Sequence, residues 1–171
     1  ALQSQSSKIS GSLDIGYSSD DPRNQRVAEL LQTQLQALGV QATTRGIPIA
    51  QVFDLPNKPD DAPDLLLWNF NPDAAHPDTW IRIFHNTKGA LNFLQCGSTE
   101  ADALMDKGIV ETDKTKMLDL YGQAADKVLA AGCYVTIADT KELVVARKGI
   151  TGFTHQLPTA YTVRIADLKE G

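Results

Sequence analysis

The stretch Asp64-Leu-Leu-Leu-Trp68-Asn-Phe-Asn-Pro-Asp73-Ala-Ala-His-Pro-Asp-Thr-Trp80 decides the fold class. Its apolar run stops abruptly in a turn rich in Asn, Asp and Pro. A second Pro-Asp pair follows, and both tryptophans of the chain flank the polar loop. A buried strand that delivers polar and aromatic groups to its carboxyl end is how open α/β sheets present ligand sites. Trp68, Asn69, Phe70, Asn71, Asp73 and His76 are therefore the candidate ligand-contacting residues.

Outward from this stretch, strand and helix patterns alternate. Leu13, Ile15 and Tyr17 alternate with polar neighbours, which predicts a strand. In the following Ser-Ser-Asp-Asp-Pro, Asp20 or Asp21 is placed to cap a helix, and Pro22 suits its first position. Val27, Leu30, Leu31, Leu35 and Leu38 recur at helical spacing, and Gly39 supplies a left-handed stop. A second strand is predicted over residues 40–45 and a short helix over 49–55. Three prolines then mark residues 56–63 as a surface loop. The third strand is predicted over 65–70, apolar on both faces.

Beyond the loop, Pro77 opens a helix carrying Trp80, Ile81 and Phe84 inward. Ser98 caps another, with Ala101, Leu104 and Met105 on one face. A longer helix starts near Asp113, with Met117, Leu120, Tyr121, Ala124 and Val128 in register, and Gly132 ends it. Residues 134–138 and 143–147 alternate like strands, and the pattern after Gly149 is that of an extended tail. The class is α/β with at least a partly parallel sheet.

The composition excludes several functions. A length of 171 residues supports one domain with a core. The formal charge of −5 and scattered basic residues argue against nucleic acid. No stretch is long and apolar enough for a membrane-spanning helix. Residues 1–11 are polar and Ser-rich, without the apolar centre of a signal peptide, and are expected to fray. Phosphate-binding glycine motifs and nucleophile signatures are absent, so no cofactor is expected. His76, His85 and His155 fit no familiar metal spacing. Asp73 and Asp78 could form an acid–base pair, but Asp78 sits in a first helical turn, where a capping or dipole role is the ordinary one. Trp80 is at packing distance from Phe84 along the helix. Cys96 and Cys133 allow a single bridge or two buried thiols.

Five segments in order resemble the carboxyl-terminal part of the extracellular solute-binding proteins of family 5, the oligopeptide- and dipeptide-binding proteins of ABC importers. They are residues 13–17 with the helix at 26–40, Asp64 to Trp68 with Pro77 to Trp80, and Asn92-Phe93 before Glu100 to Met105. Thr112-Asp113 through Ala125 and the Val-Ala-Arg-Lys-Gly-Ile-Thr-Gly-Phe run at 145–153 complete the set. Together they cover nearly all of residues 12–168.

The resemblance implies part of a lobe of a type II periplasmic-binding-protein-like fold, a mixed sheet flanked by helices. It divides the chain into a flexible segment at 1–11, the lobe at 12–148 and a segment at 149–171 returning towards a missing lobe. The piece is then expected to derive from a longer protein. It implies a peptide or similar small solute held between two lobes, a membrane permease as the partner of the full protein, and an exported, cell-surface location with a possible lipid anchor. It implies no catalysis. Export favours a Cys96–Cys133 bridge. In peptide binders of this family an Asp three residues after the Trp takes the peptide's amino group. Asn71 stands there, and Asp73 is the candidate replacement, since an Asn cannot give an ammonium a charge-assisted bond. Two rivals remain at this point: a ligand-sensing module of a transcription regulator, and an α/β hydrolase-like enzyme using Asp73 or Asp78.

Overall fold

A computed structural model of the chain describes residues 11–70, 73–139, 145–153 and 165–171. They fall into two compact units, residues 1–70 with 90–96, and residues 71–89 with 97–171.

The first unit is built on three parallel strands. Strand β1 (Ser12–Ser18) leads through helix α1 (Pro22–Ala37) to β2 (Gln41–Ile47), and β3 (Leu65–Leu67) pairs on the other side of β1. The order β2-β1-β3 places the first strand in the centre. Helix α1 begins as its sequence dictates: Asp21 caps it by accepting from the Arg23 N–H, and Pro22 follows. It ends at Leu38, and Gly39 takes a φ of 84° that a side chain would resist. Val27, Leu31 and Leu35, four residues apart, pack against buried Ile15, Ala28, Ala42 and Leu67. Leu30 lies off that stripe and is exposed. Full burial of Ile15 is worth roughly 2–3 kcal/mol.

Between β2 and β3 the predicted short helix is one turn, α2 (Ile49–Val52), and the proline-rich loop folds into two 3-10 turns, Leu55–Asn57 and Pro59–Asp61. Strand β3 is shorter than predicted. Only Leu65, Leu66 and Leu67 find partners, on Ile15, Gly16 and Tyr17, because β1 itself ends at Ser18. Nor is β3 covered on both faces, since Leu65 is 38% exposed. The sheet is parallel throughout.

The second unit is helical. Helices α3 (Asp78–His85), α4 (Thr99–Val110) and α5 (Lys114–Ala130) enclose Ile81, Ala101, Met105, Tyr121, Ala124 and Val128. Ser98 and Asp113 cap α4 and α5 as predicted. Gly132 follows α5 at a φ of 76°. Gly108 lets the two helices close up: a Cβ there would sit 2.8 Å from the Tyr121 ring.

The strand predicted over 134–138 does not form. Residues 133–139 have no regular structure, with Val135 81% and Ile137 64% exposed. Alternation marks a strand only where another strand supplies the ladder, and among the described residues none does. Residues 145–147 of the other predicted strand are likewise irregular, and its start lies outside the described residues. The tail is not simply extended. Strands β4 (Ile150–Thr151) and β5 (Lys169–Glu170) form a small antiparallel ribbon, closed by Gly171 N–H donating to Gly149 O at 2.7 Å. Asn71, His155 and most of the N-terminal segment lie outside the described residues.

Candidate ligand cleft

The strand order puts β2 and β3 on opposite sides of β1, so the connections leaving the carboxyl ends of β1 and β3 diverge. A crevice outside those ends is the position where open α/β sheets receive ligands. The first unit has one there, a cleft of about 190 Å³ lined by Ser18, Asp20, Asp21, Asn24, Ile49, Trp68 and Asn69. The β1–β3 register explains the company: Tyr17 lies opposite Leu67, so Ser18, the last residue of β1, and Trp68, the first beyond β3, come next on neighbouring strands.

Trp68 is set by two neighbours. Its ring meets Phe53 edge-on at 5.7 Å and Phe93 at 5.1 Å, while Phe53 and Phe93 meet at 6.0 Å. Such edge contacts add roughly 0.5–1.5 kcal/mol each beyond burial. Asn69 Nδ2 donates to Asp21 Oδ2 at 2.7 Å. Asp21 also accepts from Arg23 Nε at 3.0 Å, Arg23 N at 2.9 Å and the second guanidinium nitrogen at 2.8 Å. The Arg23 guanidinium holds the Asp21 carboxyl well below its ordinary value, at about 2, with the backbone of Arg23 and the Asn69 amide adding to the effect. Asp20 ties a different element, its Oδ2 accepting from the Ile49 N–H at 2.8 Å.

Of the residues named from sequence, Trp68 and Asn69 come together in this cleft. Phe70 follows them, exposed. Asp73 and His76 belong to the second unit. Asp73 is exposed. His76 is half-buried: its Nδ1 accepts from the Asp78 N–H at 3.2 Å and its ring meets Tyr121 edge-on at 5.6 Å. Five lining residues, Ser18, Asp20, Asp21, Asn24 and Ile49, were not read as site residues. Asp20 and Asp21 stood out only as helix caps, and only the strand order reveals that the cap faces Trp68.

Asp78 is engaged elsewhere than at a ligand. It accepts from Arg82 Nε at 2.9 and 3.0 Å and from the Tyr121 hydroxyl at 2.6 Å, and Arg82 continues to Asp106 at 2.8 Å. Burial opposes the charge on Arg82, but its bonds to Asp106 and Asp78 outweigh it and raise its pKa. Burial and the Asp78 carboxylate together raise that of Tyr121. The carboxylate is thus a structural ion-pair partner rather than a cap. His85 is stacked on Tyr134 at 4.7 Å and meets Trp80 at 6.0 Å, and burial lowers its pKa to about 4. Cys96 and Cys133 are joined in a disulfide. No described helix is long and apolar enough to cross a membrane.

No family model matches the chain. Over 145 residues it is 28% identical to the probable D,D-dipeptide-binding periplasmic protein DdpA of Escherichia coli K12, covering 83% of this chain and 28% of that protein. Among solved structures, a putative peptide-binding protein, AppA of Clostridium difficile, superposes with a TM-score of 0.81 at 21% identity, over 98% of this chain and 35% of the other. The ABC transporter substrate-binding protein CtaP of Listeria monocytogenes gives 0.60 at 19% identity, over 72% and 25%. The resemblance drawn from the five segments is borne out: the relative and the fold are those of substrate-binding proteins of ABC transporters. The chain spans under a third of the curated relative's length.

Proposed function

We propose that this chain forms one wall of the ligand site of an ABC-importer solute-binding protein, taking a peptide or similar small solute against Trp68 and Asn69. The observation that carries this reading is the cleft of about 190 Å³ at the carboxyl ends of β1 and β3, on a fold shared with such proteins. The cleft offers an aromatic wall fixed from behind and polar groups converging from three elements, the makeup of a binding site. Its one hydroxyl, Ser18 Oγ, has no hydrogen-bond partner among the described residues. The disulfide supports an oxidising, exported location for the protein, and disfavours a cytoplasmic sensor. A membrane permease is then the partner of the full-length protein.

Titration of the chain with defined di- and tripeptides, followed through the Trp68 indole resonance, tests this. Saturable shifts of Trp68 and of the Asn69 side-chain amide are expected. Peptide binding that leaves both unmoved would place the site elsewhere, and the absence of any binding would end the reading.

A further inference from the structure

The first unit carries a second, larger cavity. It opens where the edge strand β2 runs out into α2 and the two 3-10 turns, and measures about 360 Å³. Small-molecule sites span roughly 300–1,000 Å³. Helix α2 is common to both hollows: Ile49 lines the Trp68 cleft and Gln51 lines this one. The floor is apolar, since Ile47 and Leu55 are each only 3% exposed.

The charges above that floor balance one another. Two cations, Arg45 and Lys58, line the cavity with two carboxylates, Asp54 and Asp61. Lys58 Nζ donates to Asp54 Oδ2 at 2.7 Å. Arg45 Nε donates to Asp14 Oδ2 at 2.8 Å, and its Nη2 to the Asp61 carbonyl at 3.0 Å. Asp54, and to a lesser degree Asp61, hold the Lys58 ammonium charged. A ligand anion drawn to Lys58 therefore meets Asp54 within ion-pair distance, and a ligand cation drawn to Asp54 meets Lys58. Neither sign of charge gains from the lining as a whole.

What the protein leaves open is hydrogen-bonding capacity of both kinds. The Gln51 side-chain amide makes no hydrogen bond among the described residues, and the Asp61 carboxylate accepts none there. Arg45 Nη1 and two of the three Lys58 N–H groups are uncommitted. Donors and acceptors thus ring an apolar floor. A hydroxyl both donates and accepts, and a sugar ring carries several around its rim with C–H faces between them.

We propose that this cavity binds a neutral sugar. Gln51 and Asp61 bond its hydroxyls, Lys58 and Arg45 donate to them, and Ile47 with Leu55 lies under one C–H face. The site is separate from the Trp68 cleft, and its assignment does not rest on the solute reading above. A free sugar and a glycan chain share this chemistry, and the test separates them.

Glucose, galactose and mannose, with maltotriose as the chain, are titrated into the full chain with the Gln51 side-chain amide followed by NMR, against acetate and methylammonium. At least one sugar is expected to shift Gln51 saturably where the two ions do not. Its affinity should hold between about 0.05 and 0.3 M salt, because no net charge is neutralised. Gln51→Ala and Asp61→Ala, neither of which removes a side-chain hydrogen bond among the described residues, are each expected to weaken the sugar about ten-fold. Asp61→Asn, which keeps an acceptor, should lose less. A single sugar bound as tightly as maltotriose assigns a free sugar, and tighter binding of maltotriose assigns a chain. No saturable shift with any sugar, tighter binding of acetate or methylammonium, or affinity indifferent to both alanine variants would overturn the proposal. So would a sugar that moves Trp68 and Asn69 while leaving Gln51 unmoved.

Discussion

Asn69 Nδ2 reaches Asp21 Oδ2 across 2.7 Å, although 48 residues separate the two in sequence. The bond pins the chain leaving β3 to the cap of α1, and so fixes two walls of the cleft at once. Asn69→Ala should cost about 1 kcal/mol in urea unfolding, the ordinary worth of such a bond. Asn69→Asp should cost more, because it sets a second carboxylate against one held ionised by Arg23. A double-mutant cycle with Asp21→Ala should return a coupling of about 0.5–1.5 kcal/mol. Strict additivity would mean the contact does not hold the cleft.

The Asp78 carboxylate serves Arg82 and Tyr121 together. Asp78→Ala should therefore destabilise more than a surface pair would. It leaves a half-buried guanidinium with Asp106 alone, and roughly 2–3 kcal/mol is expected, below the fully buried range because Arg82 is partly exposed. Tyr121→Phe, which keeps the packing against Gly108, should cost only about 1 kcal/mol. Denaturant midpoints compare the two directly. An Asp78→Ala variant as stable as the parent would make this pair a surface decoration.

His85 gives the chain an acid sensitivity of its own. Burial lowers its pKa from 6.5 to about 4, so the unfolded chain binds a proton there before the folded one does. Its contribution is fully present above pH 6.5 and is lost as pH falls from there towards 4. The ring is partly exposed, so the loss is discounted to on the order of 1–2 kcal/mol. Asp21, held at about 2, acts only below its unfolded value of 3.8 and leaves this window clear. Stability measured between pH 7 and 4.5 should fall in the parent and stay flatter in His85→Phe. Parallel curves would assign the sensitivity elsewhere.

What could be read in the sequence was what local chemistry decides. Asp21, Pro22 and Gly39 bracket α1, and Ser98 and Asp113 open α4 and α5, because caps act on backbone groups two or three residues away. Trp68 was found at the strand end because an apolar run halting in Asn and Pro is a local event. Asn24 and Ser18 could not be found that way. They become site residues only when β3 pairs beside β1 rather than beside β2, a choice no local pattern encodes. Residues 134–138 failed for the same reason in reverse. Their alternation was legible, but a ladder needs a second strand.

The disulfide between Cys96 and Cys133 closes a loop of about 38 residues, for which chain entropy gives roughly 4 kcal/mol. Reduction should lower the unfolding midpoint markedly, and Cys96→Ser with Cys133→Ser should match the reduced protein. Thiol titration of the unreduced, unfolded chain should find no reactive cysteine. Two thiols per chain would remove both the bridge and its support for an exported location.

Phe93 controls Trp68 from behind. It is 5% exposed, contacts both Phe53 and Trp68, and belongs to no surface a ligand could touch. Phe93→Ala should cost about 3–4 kcal/mol through the cavity it leaves. Phe93→Leu, milder, should cost about 1–1.5 kcal/mol and free the indole to change rotamer. In a Trp80→Phe background, where Trp68 is the sole emitter, Phe93→Leu should alter its emission. Because a binding wall works only when its orientation is held beforehand, the same variant should weaken peptide binding several-fold without removing a ligand contact. Unchanged emission with weakened binding would mean that Phe93 acts other than through Trp68. Changed emission with full affinity would mean that Trp68 is a bystander to the cleft it lines.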